Sequence, residues 1–259
     1  MIRRYARVLL ADGRDVYVDA TEGFAVLEQA PWLGGQPTGE LVPGAEVVRR
    51  RAPVAPGKIV CVGRNYAAHA AEFGNEVPEE PLLFLKPTSS LLEPGGVIEL
   101  PPPSLSERTE HEVELGVVIG SRLKRASAEA CAQGIFGYTI VGDITARDLQ
   151  RREKQWTRGK GLDTYCPVGP DVVTGIDASA LGVRCFVNDQ KRQDGNTAQM
   201  VFAPPALLAF IAEAMTLEPG DLIVTGTPSG VGPLEHGDHL RLEIDGLGAL
   251  ELTVRASAA

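Results

Sequence analysis

The stretch His111-Glu112-Val113-Glu114-Leu115-Gly116-Val117-Val118-Ile119 alternates with a period of two. That is the repeat of a β-strand, in which successive side chains point to opposite faces. Val113, Leu115, Val117 and Ile119 fall on one face, which the pattern assigns to the core, while Glu112 and Glu114 share the other. Two carboxylates about 7 Å apart on one strand face repel unless a cation lies between them. The same pattern also suits a half-exposed strand with a solvated polar face. One familiar chemistry is excluded at once: His111-Glu112 begins like a zinc-protease HExxH helix, but Leu115 stands where the second His belongs. A strand would not align those positions in any case.

A third acid, Asp143, ends the apolar run Tyr138-Thr139-Ile140-Val141-Gly142, just before a segment carrying Arg147, Asp148 and Gln150. Three carboxylates without His or Cys make a hard oxygen site, suited to Mg²⁺ or Mn²⁺ with open water positions. Upstream, Gly63-Arg64-Asn65-Tyr66-Ala67-Ala68-His69-Ala70-Ala71-Glu72 sets His69 and Glu72 three residues apart. On a helix such a carboxylate orients the imidazole and raises its basicity, although the same pair is also a common surface hydrogen bond. Lys160, between Gly159 and Gly161, is an isolated cation with little bulk beside it. It is a candidate partner for an anion or an enolate, or simply a solvated lysine. The glycine-rich run from Thr225 to Gly232 lacks both the Gly-Lys-Ser/Thr ending of a phosphate loop and the third glycine of a dinucleotide fingerprint. No GxSxG elbow occurs. No organic cofactor is expected.

Working outward, residues 59–62, 82–85, 136–141, 184–187, 222–225, 240–244 and 250–254 also read as strands. Helices are expected over 66–73, 146–156 and 206–215, the last with Pro204 and Pro205 at its start, where a missing N–H costs little. Asp12-Gly13 and Asp245-Gly246 mark hairpin turns. Gly 29 and Pro 19 in 259 residues is an excess that disfavours an all-helical fold. The run Ala52-Pro53-Val54-Ala55-Pro56-Gly57 reads as a linker between a small β domain, 1–55, and a larger one, 56–259. A chain of this length buries a sufficient core without a disulfide or zinc staple. Cys61, Cys131, Cys166 and Cys185 form no CxxC and are expected to be buried free thiols. A net charge of −9 argues against nucleic-acid and anionic-membrane partners. No apolar run approaches a membrane span, and Arg3-Arg4 is followed by no signal-peptide core, so a cytoplasmic location is expected.

Six motifs occur in order: Gly63-Arg64-Asn65-Tyr66 with His69, Phe84-Leu85-Lys86-Pro87, His111-Glu112-Val113-Glu114-Leu115, Asp143-Ile144-Thr145-Ala146-Arg147-Asp148-Leu149-Gln150, Gly159-Lys160-Gly161, and Thr225-Gly226-Thr227-Pro228-Ser229-Gly230-Val231-Gly232. Together they resemble the fumarylacetoacetate hydrolase family over about 58–254, and the first 55 residues resemble, less distinctly, the small N-terminal domain of its two-domain bacterial members. The resemblance implies a mixed β (α+β) fold, a β-sandwich roll with peripheral helices. It implies Mg²⁺ or Mn²⁺ held by Glu112, Glu114 and Asp143, with Lys160, Arg147, Gln150 and Thr227 lining the substrate site. His69 and Glu72 match the family's lid dyad, Asp189 departs from the glycine usual after Asn188, and a homodimer is implied. The implied substrates are small 2-oxo acids or their enols, with C–C hydrolysis of acylpyruvates through a metal-bound enolate as the leading activity. Isomerisation of hydroxymuconate-type diacids and decarboxylation of oxaloacetate are the alternatives, and a non-catalytic 2-oxo-acid-binding protein is the alternative of another class.

Overall fold

A computed structural model describes residues 1–72, 74 and 76–257. The strand Val113–Ile119 lies inside the main sheet, paired antiparallel with Ile135–Gly142 on one side and Leu222–Val224 on the other. Leu222–Val224 runs parallel to Ile59–Gly63, which pairs in turn with the edge strand Leu82–Lys86. Beyond Ile135–Gly142 come Cys166–Thr174 and then Arg3–Leu10. A five-stranded sheet covers one face, in the order Gln190–Asn196, Gly182–Val187, His239–Ile244, Gly248–Ala256, Val97–Leu100. The architecture is the expected mixed β sandwich.

The alternation predicted for 112–119 sorts the core. Val113, Leu115 and Ile140 pack against Val183, Cys185, Leu240, Leu242 and Leu252 of the smaller sheet. Farther along the same face, Val117 and Ile119 meet Leu208 and Ile211 of the helix Pro204–Ala214. Val118, on the opposite face, packs with Val141, Cys61, Cys166 and Val224. Every residue of Val113–Ile119 is therefore buried. The half-exposed alternative fails, because the sheet is covered on both faces. Glu112 itself sits just before the strand, where its carbonyl accepts the Asp143 N–H at 2.9 Å.

Two helix expectations need correction. The predicted 146–156 helix ends at Arg152, because Glu153 turns extended (φ −100°, ψ 136°), and a separate short helix, Thr157–Lys160, starts beyond the predicted range. The break lets Trp156 pack edge-to-face on Phe84, and the Gly159 backbone comes so near Gln150 that a Cβ would lie 2.9 Å from its amide nitrogen. The 66–73 helix spans Ala67–Glu72, and Phe73 lies outside the described residues.

Arg3–Leu10 and Asp15–Asp19 form the hairpin announced by Asp12-Gly13, and with Ala6, Val8, Val18, Val26 and Val42 the N-terminal strands build a small core of their own. They are not detached, since Arg3 to Tyr5 pair with Val172 to Thr174. Asn188 and Asp189 both adopt left-handed backbone (φ 50° and 63°) between Gly182–Val187 and Gln190–Asn196. A two-residue hairpin loop of this kind accepts Asn and Asp, which explains the departure at Asp189. All four cysteines are free and buried, and burial pushes the Cys166 thiol up to about 12. Among the described residues no helix is long and apolar enough to cross a membrane.

Candidate active site

The bend before Val113–Ile119 and the end of Ile135–Gly142 bring Glu112, Glu114 and Asp143 together. One oxygen from each lies within 4.8 Å of the others, and the three residues are 3 %, 2 % and 1 % exposed. Such a concentration of buried negative charge is unfavourable without compensation. Most of the compensation comes from side chains far apart in sequence. Lys160 Nζ lies 2.8 Å from Glu112 and 2.6 Å from Asp143. Lys86 Nζ donates to Asp143 at 2.6 Å and to the Ile144 carbonyl at 3.1 Å. Arg147 bridges Glu110 and Glu112 and donates to Gln150.

Glu114 is different. It accepts the Gly226 N–H, and among the described residues no Lys or Arg is ion-paired with it. The protonation tendencies follow. Burial, then Asp143 and Glu112, push the Glu114 carboxyl well above the usual range. Burial alone would also raise Glu112, but Lys160 and Arg147 outweigh it and hold Glu112 low. Burial works against charge on Lys160, yet Asp143 and Glu112 raise its pKa, so the ammonium stays charged.

A carboxylate with no paired cation beside two that are compensated, all oxygen and all buried, is the donor set that suits a hard divalent cation. Glu112, Glu114 and Asp143 could hold one. Gly226 is fixed by this geometry: its φ is 96°, and a Cβ would lie 2.7 Å from that of Asn65.

Every residue singled out in the sequence for this site except Glu72 lines one pocket of about 410 Å³: His69, Glu112, Glu114, Asp143, Arg147, Gln150, Lys160 and Thr227. Glu72 stands behind His69, its carboxylate 3.2 Å from His69 Nδ1, and it accepts the Gly230 N–H at 3.1 Å. The glycine-rich 225–232 loop thus steadies the pair. Lys160, a candidate for a solvated lysine, is 2 % exposed and sits 5.1 Å from the centre of the Phe84 ring. Arg147 is tied to carboxylates, and Thr227 donates to the Val113 carbonyl at 2.8 Å.

Three residues were missed. Lys86 stood in a recognised motif but carried no assignment. Glu110 anchors Arg147, one residue before the motif histidine. Gln193 is fully buried and donates to Thr227 Oγ1 and the Pro228 carbonyl, while its oxygen accepts the Val113 N–H. An uncharged glutamine in a polar run gives no signal in the sequence.

The fold and the carboxylate–lysine site define a class, and comparison with known proteins gives it a name. The model of the fumarylacetoacetate (FAA) hydrolase C-terminal domain matches residues 58–255, and this chain belongs to the fumarylacetoacetate hydrolase family of enzymes. It is 47% identical over 197 residues to the mitochondrial oxaloacetate decarboxylase of Dictyostelium discoideum, covering 73% of this chain and 89% of that protein. The crystal structure of 2-hydroxyhepta-2,4-diene-1,7-dioate isomerase from Mycobacterium marinum superposes with a TM-score of 0.90 at 38% identity, over 99% of this chain and 100% of that one. Fumarylpyruvate hydrolase from Pseudomonas aeruginosa, crystallised with Mn²⁺ and pyruvate, matches at a TM-score of 0.73 and 32% identity, over 81% and 93% of the two chains.

Proposed function

We propose that this enzyme is a Mg²⁺- or Mn²⁺-dependent hydrolase of acylpyruvate-type 2-oxo acids, with residues 56–259 as its catalytic domain and 1–55 as a small N-terminal module. The observation that carries the reading is that His69, backed by Glu72, lines the same pocket as the three carboxylates and Lys160. A divalent ion held by Glu112, Glu114 and Asp143 would supply Lewis acidity toward the oxygens of a 2-oxo acid.

The chain's own groups supply the rest. An ammonium has three N–H donors. Lys160 gives two of them to Glu112 and Asp143, which leaves one for the substrate oxygen where charge develops. His69 takes a proton from water, and Glu72 stabilises the resulting imidazolium. The water oxygen adds to the distal carbonyl and the C–C bond breaks. Its electron pair leaves on pyruvate as the enolate, which is then protonated. The acid and pyruvate account for all atoms. Arg147 and Gln150 hold the carboxylate end of the site in place.

A second reading is favoured by the relatives named as an oxaloacetate decarboxylase and a dienedioate isomerase. Both reactions pass through an enolate of a 2-oxo acid and need no attacking water.

Chelation tests the ion requirement. EDTA-treated protein should lose turnover of acetylpyruvate and regain it with Mg²⁺ or Mn²⁺, and Glu114→Ala should lose ion binding while keeping its fold, since it removes a buried carboxylate that no Lys or Arg among the described residues pairs with and leaves the apolar contacts on both faces of the sheet in place. Full turnover after EDTA removes the assignment. We propose a homodimer as well: sedimentation at micromolar concentration should show twice the chain mass, and a monomer alone counts against it.

A further inference from the structure

Gln193 stands on Gln190–Asn196, an edge strand of the smaller sheet, and it is the one residue of that strand that is buried. Burying a primary amide is unfavourable unless its hydrogen-bonding groups are met. Here all of them are. The oxygen accepts the Val113 N–H at 3.1 Å and faces His111 Nδ1 at 3.2 Å, while the nitrogen donates to Thr227 Oγ1 at 2.8 Å and to the Pro228 carbonyl at 2.7 Å. A backbone N–H only donates and a carbonyl only accepts, so Val113 and Pro228 fix which way the amide is turned. His111 must then carry its proton on Nδ1, beside Cys185 Sγ at 3.3 Å. That leaves Nε2, buried and without a partner among the described residues, as the unprotonated nitrogen.

The hydroxyl that Gln193 holds has no proton to spare. A threonine hydroxyl carries one, and Thr227 gives it to the Val113 carbonyl at 2.8 Å. The hydroxyl therefore ties the loop to the strand and donates to nothing in the pocket. The loop so tied carries three contacts of the site: the Gly226 N–H to Glu114, Thr227 on the pocket wall, and the Gly230 N–H to Glu72. The edge strand also lies hard against it. A Cβ on Gly195 would sit 2.5 Å from the Pro228 Cβ, and one on Gly230 would sit 2.1 Å from the Arg192 carbonyl oxygen. Gln193 is not among the residues that line the pocket.

We propose that Gln193, oriented by His111, is a positioning residue of the active site: it holds the 225–230 loop in register through Thr227 and Pro228, so that the edge hairpin of the smaller sheet sets the pocket's affinity for its ligand without touching it. The inference rests on the active-site reading above and adds two residues to it from outside the pocket.

Hydrogen exchange of the ligand-free protein tests the tie. Gln193→Met keeps the reach of the side chain and removes its amide. It should speed exchange of the Gly226, Thr227 and Gly230 amides by about 10- to 100-fold, the range for one or two lost hydrogen bonds. Ile98→Ala, which weakens the core at the opposite edge of the same sheet, should leave them protected. Should Gln193→Met not fold, Thr227→Val cuts the tie from its other end and carries the same measurement. Kinetics on acetylpyruvate and oxaloacetate with Mg²⁺ separate positioning from support. Gln193→Met and Thr227→Val should each raise KM by about 10-fold, and the double variant no further than the worse of them, since both cut one tie. His111→Leu should raise KM as well, and His111→Asn, whose amide N–H falls where Nδ1 donates, should restore most of it. Unchanged exchange in Gln193→Met, or losses that multiply in the double variant, overturns the tie and leaves the active-site reading standing. If wild type turns over neither substrate, that reading fails, and the exchange result still decides the tie.

Discussion

Lys160→Met is expected to slow turnover of every 2-oxo acid by about 10²–10³-fold, the usual loss when a donor to developing oxygen charge is removed, and to destabilise the ion-free fold as well. The ammonium sits between Glu112 and Asp143 with all three side chains under 5 % exposed. Removing one partner of a buried pair costs about 3–5 kcal/mol, because the charges left behind are neither solvated nor matched. Lys86 would still hold Asp143 and Arg147 would still hold Glu112, which keeps the loss within that range. Methionine keeps an unbranched stem as far as the ε position and drops only the ammonium, so the effect reports the lost charge together with its hydrogen bonds. Thermal unfolding of EDTA-treated protein should show the lowered midpoint, and added Mg²⁺ should recover part of it, since the ion restores positive charge among the same carboxylates. A variant that melts and turns over like wild type would remove Lys160 from the site.

The carboxylate pair was legible because a period of two is visible over nine residues, and the side of the strand on which Glu112 and Glu114 fall follows from it. What neutralises them was not legible from periodicity. Lys86 is 57 residues from Asp143, and Lys160 is 48 from Glu112. Only the pairing of Ile59–Gly63 with Leu82–Lys86, and the break after Arg152, bring those lysines in. The strands that went unread have the same kind of cause. Cys166–Thr174 contains Pro167 and Pro170, which usually argue against an interior strand. Gln190–Asn196 has no apolar residue to reveal an alternation, yet it carries Gln193, which fastens the Thr227 loop to Val113. Local pattern reports which face a residue takes. It does not report which distant segment covers that face.

The roles assigned to His69 and Lys160 separate in one comparison. If His69 activates water, His69→Ala should slow acylpyruvate cleavage by about 10²–10⁴-fold, the contribution of a positioned general base. Decarboxylation of oxaloacetate has no attacking water, so its loss in the same variant should be much smaller. Lys160→Met should harm both reactions alike, because each builds negative charge on the oxo-acid oxygen. Glu72→Gln keeps the hydrogen bond to His69 but removes the charge that stabilises the imidazolium, so it should reproduce part of the hydrolytic loss. Steady-state rates of wild type and the three variants on acetylpyruvate and oxaloacetate decide the matter. Equal losses on both substrates from His69→Ala would mean that the histidine only positions the helix Ala67–Glu72 against Gly230. The water-activating role, and with it the hydrolase reading, would then give way to the enolate chemistry that needs no base for water.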